Sequence, residues 1–166
     1  MFLHLQGNIF EDVRNSQHYH KSKPVDFITG ACMMIRSDVF AKVGFLPEKY
    51  FLYFEDVFFC QKILSFGFKC MLLAKPLVKH FVSSSAGKVG ENILTPTRAY
   101  YFARNPLLYI KKELNGIHKF TGFLGQIFIR LPFYIYRMIL DRAFNSIPAY
   151  FQGFIDGLNL SLTNSG

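Results

Sequence analysis

The stretch VDFITGACMMIRSDVFAKVGF, residues 25–45, opens as an apolar run broken only by Asp26, Thr29 and Gly30, and closes on one and a half turns of helical spacing. Its first part, about residues 25–36, reads as a buried strand in which Gly30 allows a close backbone approach. Ser37 stands where a helix cap is wanted. Val39, Phe40 and Val43 share one face of a short helix, and Gly44 supplies a left-handed residue to end it, with Pro47 confirming the break. A second helix follows from about residue 54, where Val57, Phe58, Cys60, Ile63 and Leu64 keep helical spacing and Gly67 closes it. FKCMLLAKPLVKHF, residues 68–81, then gives a strand near 68–73, a proline-bearing bend and a short strand ending at His80. Strands alternating with helices imply an α/β fold.

The second helix raises a question of chemistry. Glu55 and Asp56 sit side by side in FLYFEDVFF, amid aromatic residues. Carboxylates are costly to desolvate without a partner, so either a turn carries them to the surface or a cleft uses them. Their place in the first helical turn offers a plain explanation, since acidic groups there complement the helix dipole by about 0.3–1 kcal/mol each. The same dipeptide recurs at Glu11 and Asp12, where no function is assigned.

Composition narrows the partners. The chain has 166 residues, enough for one core plus an appendage. Lys and Arg outnumber Asp and Glu by 19 to 11, which attracts polyanions: nucleic acid, phosphorylated substrates or an anionic membrane. Twenty Phe and nine Tyr without a Trp tilt the balance towards lipid, and no basic stretch carries a nucleic-acid motif. Cys32, Cys60 and Cys70 are odd in number and lack C-x-x-C spacing, so reduced thiols in an apolar core and a cytoplasmic setting are expected. The first 24 residues read as an exposed segment without the apolar core of a signal peptide. His18 and His20 within it form an H-x-H pair, which fits either a metal ligand pair or loop histidines.

Taken in order, TGACMMIR, KVGFLPEKYF, FLYFEDV, SFGFK, the Lys79–His80 pair and RAYYFARN make residues 25–112 resemble the acceptor-side half of family 2 glycosyltransferases, particularly rhamnosyltransferase-like enzymes of bacterial surface-polysaccharide synthesis. The resemblance implies the C-terminal part of a GT-A type, Rossmann-like domain. It implies that Asp56 is the general base for the acceptor hydroxyl in an inverting transfer from a nucleotide-sugar, with Glu55 orienting the site. It further implies that His80 ligates a divalent metal, manganese or magnesium, on the donor diphosphate, and that Arg104 and Asn105 are the family's RN pair on the donor side. Where the family commonly continues with Asp and Leu after the valine, this chain has Phe58 and Phe59, and the usual helix Arg is Lys62.

The family's nucleotide-binding half should precede Val25 by over a hundred residues, and no D-x-D occurs in this chain. A C-terminal fragment is therefore expected, which would need a donor-binding half or partner chain for nucleotide-sugar and metal. The competing expectation is an inactive membrane-associated remnant or accessory subunit.

In the last third, Thr95 and Pro96 read as the cap and first residue of a helix that Pro106 should kink or interrupt. Arg98 and Arg104 on it suit a diphosphate or a solvated face equally. Residues 113–166 read as amphipathic membrane-associating helices. In KFTGFLGQIFIRLPFYIYRMILDRAF, Gly122, Gln126, Arg130, Arg137 and Asp141 gather on one stripe, opposed by Phe123, Ile127, Phe128, Leu131, Ile135, Met138 and Ile139, with a bend at Pro132. SIPAYFQGFIDGLNLSL repeats the pattern behind a Ser146 cap. The expected station is peripheral, on the cytoplasmic face of the inner membrane, acting on a lipid-linked glycan acceptor.

Overall fold

The computed structural model describes residues 21–73 and 94–159. They fall into two compact units. The first takes its described part from residues 21–47 and 56–73, the second from 48–55 and 94–159.

In the first unit, β1 (Lys23–Val25) pairs antiparallel with β2 (Cys70–Leu72), in the register Lys23 to Leu72 and Val25 to Cys70. Helix α1 (Ser37–Val43) and helix α2 (Glu55–Ser65) supply the rest, Glu55 itself falling in the second unit. The inward face of α1 is as the spacing predicts, but that of α2 is rotated: Phe59, not Val57 or Phe58, is buried with Cys60 and Ile63. Val39 and Val43 pack with Phe59, Cys60, Ile63 and Cys70 in one core. Gly44 and Gly67 end the helices with φ of 84° and 81°, a conformation that a side chain would disfavour. Arg36, not Ser37, takes the cap position of α1, and its guanidinium grips Asp38 at the surface.

The expected strand over 25–36 does not form. β1 stops at Val25 and a single 3-10 turn occupies Gly30–Cys32. Backbone groups that a neighbouring strand would satisfy are taken by side chains of α2 instead: the Ile28 amide donates to Cys60 Sγ at 3.4 Å, and Gln61 Nε2 donates to the Asp26 carbonyl at 3.4 Å. Among the described residues the chain is mostly helical with this one two-stranded antiparallel sheet, so the parallel, Rossmann-like arrangement is not seen in them.

The second unit is built from helices. Helix α3 (Pro96–Glu113) begins as expected, Thr95 Oγ1 accepting the Arg98 amide. Pro106 does not interrupt it. The missing N–H of Pro106 frees the carbonyl of Phe102, four residues earlier, and Arg130 Nη2 donates to that oxygen at 3.5 Å. A continuous 25-residue helix, Gly116–Leu140, follows, comprising α4 (Gly116–Gly125), a wide π turn over Gln126–Arg130, and α5 (Leu131–Leu140). The wide turn sits just before Pro132, where a regular helix would lack a donor and clash.

Helix α6 (Ser146–Asn159) lies directly on α3. Gly153 and Gly157, one turn apart, bring the two backbones together. A Cβ on Gly153 would run into the Tyr100 carbonyl, and one on Gly157 would lie 2.9 Å from the Arg104 carbonyl. Ser146 does not cap α6; buried, it donates its hydroxyl to the Leu94 carbonyl. Tyr134, Met138 and Tyr150 close the core with Ala99 and Ala103. Gly153→Ala is expected to cost about 1–3 kcal/mol through forced separation of the helices, read as a lower midpoint in urea with an unchanged slope. A midpoint equal to the parent's would mean that α6 does not need this approach.

Candidate active site

Asp56, in the first turn of α2, is held from two sides. Its Oδ2 accepts the Gly30 amide at 3.0 Å and its Oδ1 accepts the amide of Val57 at 2.8 Å. A Cβ on Gly30 would stand 3.8 Å from Asp56 Cβ and 3.9 Å from Oδ2, ordinary contact distances, so the backbone of the turn and not the missing side chain sets the approach. The tight turn at Thr29–Gly30, which ends the apolar run early, is therefore what presents the amide to the carboxylate. A carboxylate has about four lone-pair positions. Two are engaged here, and Asp56 is half-buried, so oxygen remains to accept a hydroxyl proton.

Glu55 precedes it at the end of a loop whose construction explains the aromatic run. Phe51, Tyr53 and Phe54 all have positive φ, at 57°, 64° and 75°, a conformation that costs non-glycine residues roughly 1–3 kcal/mol each. Each ring meets an aromatic on α3: Phe51 with Tyr101 at 5.4 Å between centroids, Tyr53 with Phe102 at 4.5 Å, Phe54 with Tyr109 at 5.9 Å. Such pairs contribute about 0.5–1.5 kcal/mol beyond burial.

Asn105 completes the support. It is wholly buried, and its Nδ2 donates to the carbonyls of Tyr50, Leu52 and Tyr53 at 2.7, 2.7 and 2.8 Å. Two hydrogens are shared among three acceptors that the left-handed backbone turns inward. Arg104 fixes the orientation of the amide, its Nη1 donating to Asn105 Oδ1 at 2.8 Å and to the Lys49 carbonyl at 3.2 Å. Arg98 is also buried and donates from Nε to the Tyr53 hydroxyl at 2.9 Å. The RN pair thus works within the second unit on the loop that runs into Glu55, and Arg104 is half-buried. Sequence reasoning missed this role of Asn105. No local pattern marks a side chain bonded to carbonyls some fifty positions away.

His80, with His18 and His20, lies outside the described residues. Among the described residues no three His, Cys, Asp or Glu side chains converge as a metal site. Of the thiols, Cys60 and Cys70 are buried as expected, whereas Cys32 is exposed. Burial pushes the Cys60 thiol up to about 12, against a lowering contribution from its hydrogen bond with Ile28, and burial likewise raises Cys70. Both stay protonated and inert as nucleophiles.

Comparison with known proteins puts a class to this arrangement. The chain is 46% identical over 43 residues to a low-salt glycan biosynthesis hexosyltransferase of Haloferax volcanii, covering 26% of this chain and 14% of that protein. It is 30% identical over 66 residues to an N-acetylglucosaminyl-diphospho-decaprenol L-rhamnosyltransferase of Mycobacterium tuberculosis, covering 40% of this chain and 22% of that one. A dTDP-rhamnosyl transferase of Shigella flexneri matches at 29% over 83 residues, covering 48% and 28%. Over the matched part, the chain is rhamnosyltransferase-like. It spans between 14% and 28% of the length of these curated relatives. No family model and no solved structure matches.

Proposed function

We propose that this chain supplies the acceptor-side part of an inverting, GT-A type glycosyltransferase that moves a sugar from a nucleotide-sugar to a lipid-linked glycan acceptor, at the cytoplasmic face of the membrane. The observation that carries the reading is Asp56: a half-buried carboxylate fixed by two backbone amides yet with accepting capacity left, in a stretch that resembles glycosyltransferases. The acceptor hydroxyl gives its proton to Asp56 as its oxygen bonds to the anomeric carbon, and the bond from that carbon to the diphosphate breaks with both electrons leaving on the nucleotide. A free hydroxyl is a weak nucleophile, and a positioned base contributes about 100- to 10,000-fold. Glu55, set by the clamped loop, orients the acceptor. Arg104 would bind the donor diphosphate, while Asn105 acts through the loop. A manganese or magnesium ion on His80 would, when bound, neutralise the diphosphate leaving group.

A lipid-linked acceptor is the reading that the name of the Mycobacterium relative supports, since that name specifies a diphospho-decaprenol substrate. The test is transfer of labelled sugar from uridine- and thymidine-diphosphate donors to a polyprenyl-diphosphate-linked sugar, in membranes of cells expressing the chain together with the reading frame immediately upstream. Product that requires both the chain and the lipid acceptor is expected. Equal product in membranes lacking the chain would overturn the proposal.

A further inference from the structure

The helix Gly116–Leu140 turns two polar side chains inward alongside Tyr134 and Met138. Gln126 is buried, and Arg130 turns inward, where its guanidinium lies 5.1 Å from the Tyr134 ring centroid and 5.9 Å from that of Phe102, beside the Phe102 carbonyl that it satisfies. Outward point Ile117, Phe120, Phe128, Ile129, Phe133 and Leu140, Phe128 being 71% and Ile117 66% exposed. The polar stripe is thus split: Gln126 and Arg130 are turned into the protein while Arg137 stays exposed, and of the apolar set Met138, Leu131 and Ile135 join the core while Ile127, Phe128 and Ile139 are left outside. By length and composition the helix is long and apolar enough to cross a membrane, and little of it is buried within the chain.

We infer that this outward face is immersed in the acyl region of an anionic bilayer. Two features choose lipid over another protein surface. The first is the placement of the two polar groups, because in hydrocarbon a glutamine amide and a guanidinium must find partners inside the protein, and here both are turned inward. The second is charge. With Arg98, Arg104 and Arg130 engaged within the protein, Lys111, Lys112, Lys119, Arg137 and Arg142 stand against Glu113, Asp141 and Asp156 in residues 94–159, an excess that complements anionic headgroups. Helix α3, with its lysines at the C-terminal end, packs beside α4 and α6, so full passage across the bilayer would drag charged residues into its centre. The helix therefore lies in the leaflet, sunk on one side. This holds whether or not the chain transfers sugar.

Flotation of the full chain with vesicles of equal parts phosphatidylcholine and phosphatidylglycerol tests the inference. The chain is expected to float and to stay bound in about 1 M salt, where screening within about 3 Å removes surface attraction. Phe128→Glu with Phe133→Glu should lower the bound fraction at least about tenfold, with circular dichroism unchanged. Should that variant not fold, Phe128→Cys in a Cys32→Ser background, labelled with an environment-sensitive fluorophore, gives a second reading: a blue shift and quenching by spin-labelled lipid tails are expected. Release by salt alone, an unquenched label, or a lipid-free dimer that the double substitution dissociates would each overturn it.

Discussion

Asp56→Asn, assayed in the assembled transferase, is expected to lower sugar transfer by about 100- to 10,000-fold while leaving donor binding within about twofold of the parent. The asparagine is nearly isosteric, and its carbonyl oxygen can still accept the Gly30 amide that Asp56 Oδ2 accepts at 3.0 Å, so the turn at Thr29–Gly30 and the start of α2 should survive. What is lost is the capacity to take a proton. The comparison between kcat and nucleotide affinity separates that loss from misfolding, because a collapsed first turn would reduce both. Transfer within a few-fold of the parent, in a protein of unchanged helicity, would remove Asp56 from the role of base and leave it with the plain one, complementing the dipole at the N-terminus of α2.

The parts of this chain that could be read in advance are those governed by neighbours in sequence. The inward face of α1, the Cys60–Ile63 part of that of α2, the left-handed glycines at 44 and 67, and the Thr95–Pro96 start of α3 all follow from spacing and caps. Distant partners decided the rest. Residues 25–36 have a strand's composition, yet Cys60 and Gln61 take their backbone groups. Pro106 carries a helix-breaker's signal, cancelled by Arg130 from another helix. Gln126 and Arg130 fell correctly on one stripe, but periodicity gives a stripe no direction, and the core around Tyr134 and Met138 drew these two inward while Arg137 stayed exposed. One legible signal went unused. The Gly-x-x-x-Gly spacing at Gly153 and Gly157 marks a close helix contact, and it is where α6 meets α3.

The same dependence on distance makes Asn105 the residue whose loss should be felt most in stability. Asn105→Leu keeps the volume but removes the donor to the carbonyls of Tyr50, Leu52 and Tyr53. Each buried acceptor left without its partner costs about 1–3 kcal/mol. Water cannot readily replace the amide, because the position is fully buried. The acceptors belong to a loop that already holds three non-glycine residues at positive φ, so loss of the clamp also releases strain that only the surrounding contacts offset. A net destabilisation of about 3–5 kcal/mol is expected, with residues 50–55 losing amide protection before α3 does. Asn105→Asp is the informative companion. It preserves size and the acceptor for Arg104 while placing negative charge against three carbonyl oxygens, and should destabilise at least as much as leucine. A denaturation midpoint for either variant within experimental error of the parent would mean that the aromatic pairs with α3 hold the loop unaided. Unchanged exchange at residues 50–55 would point the same way.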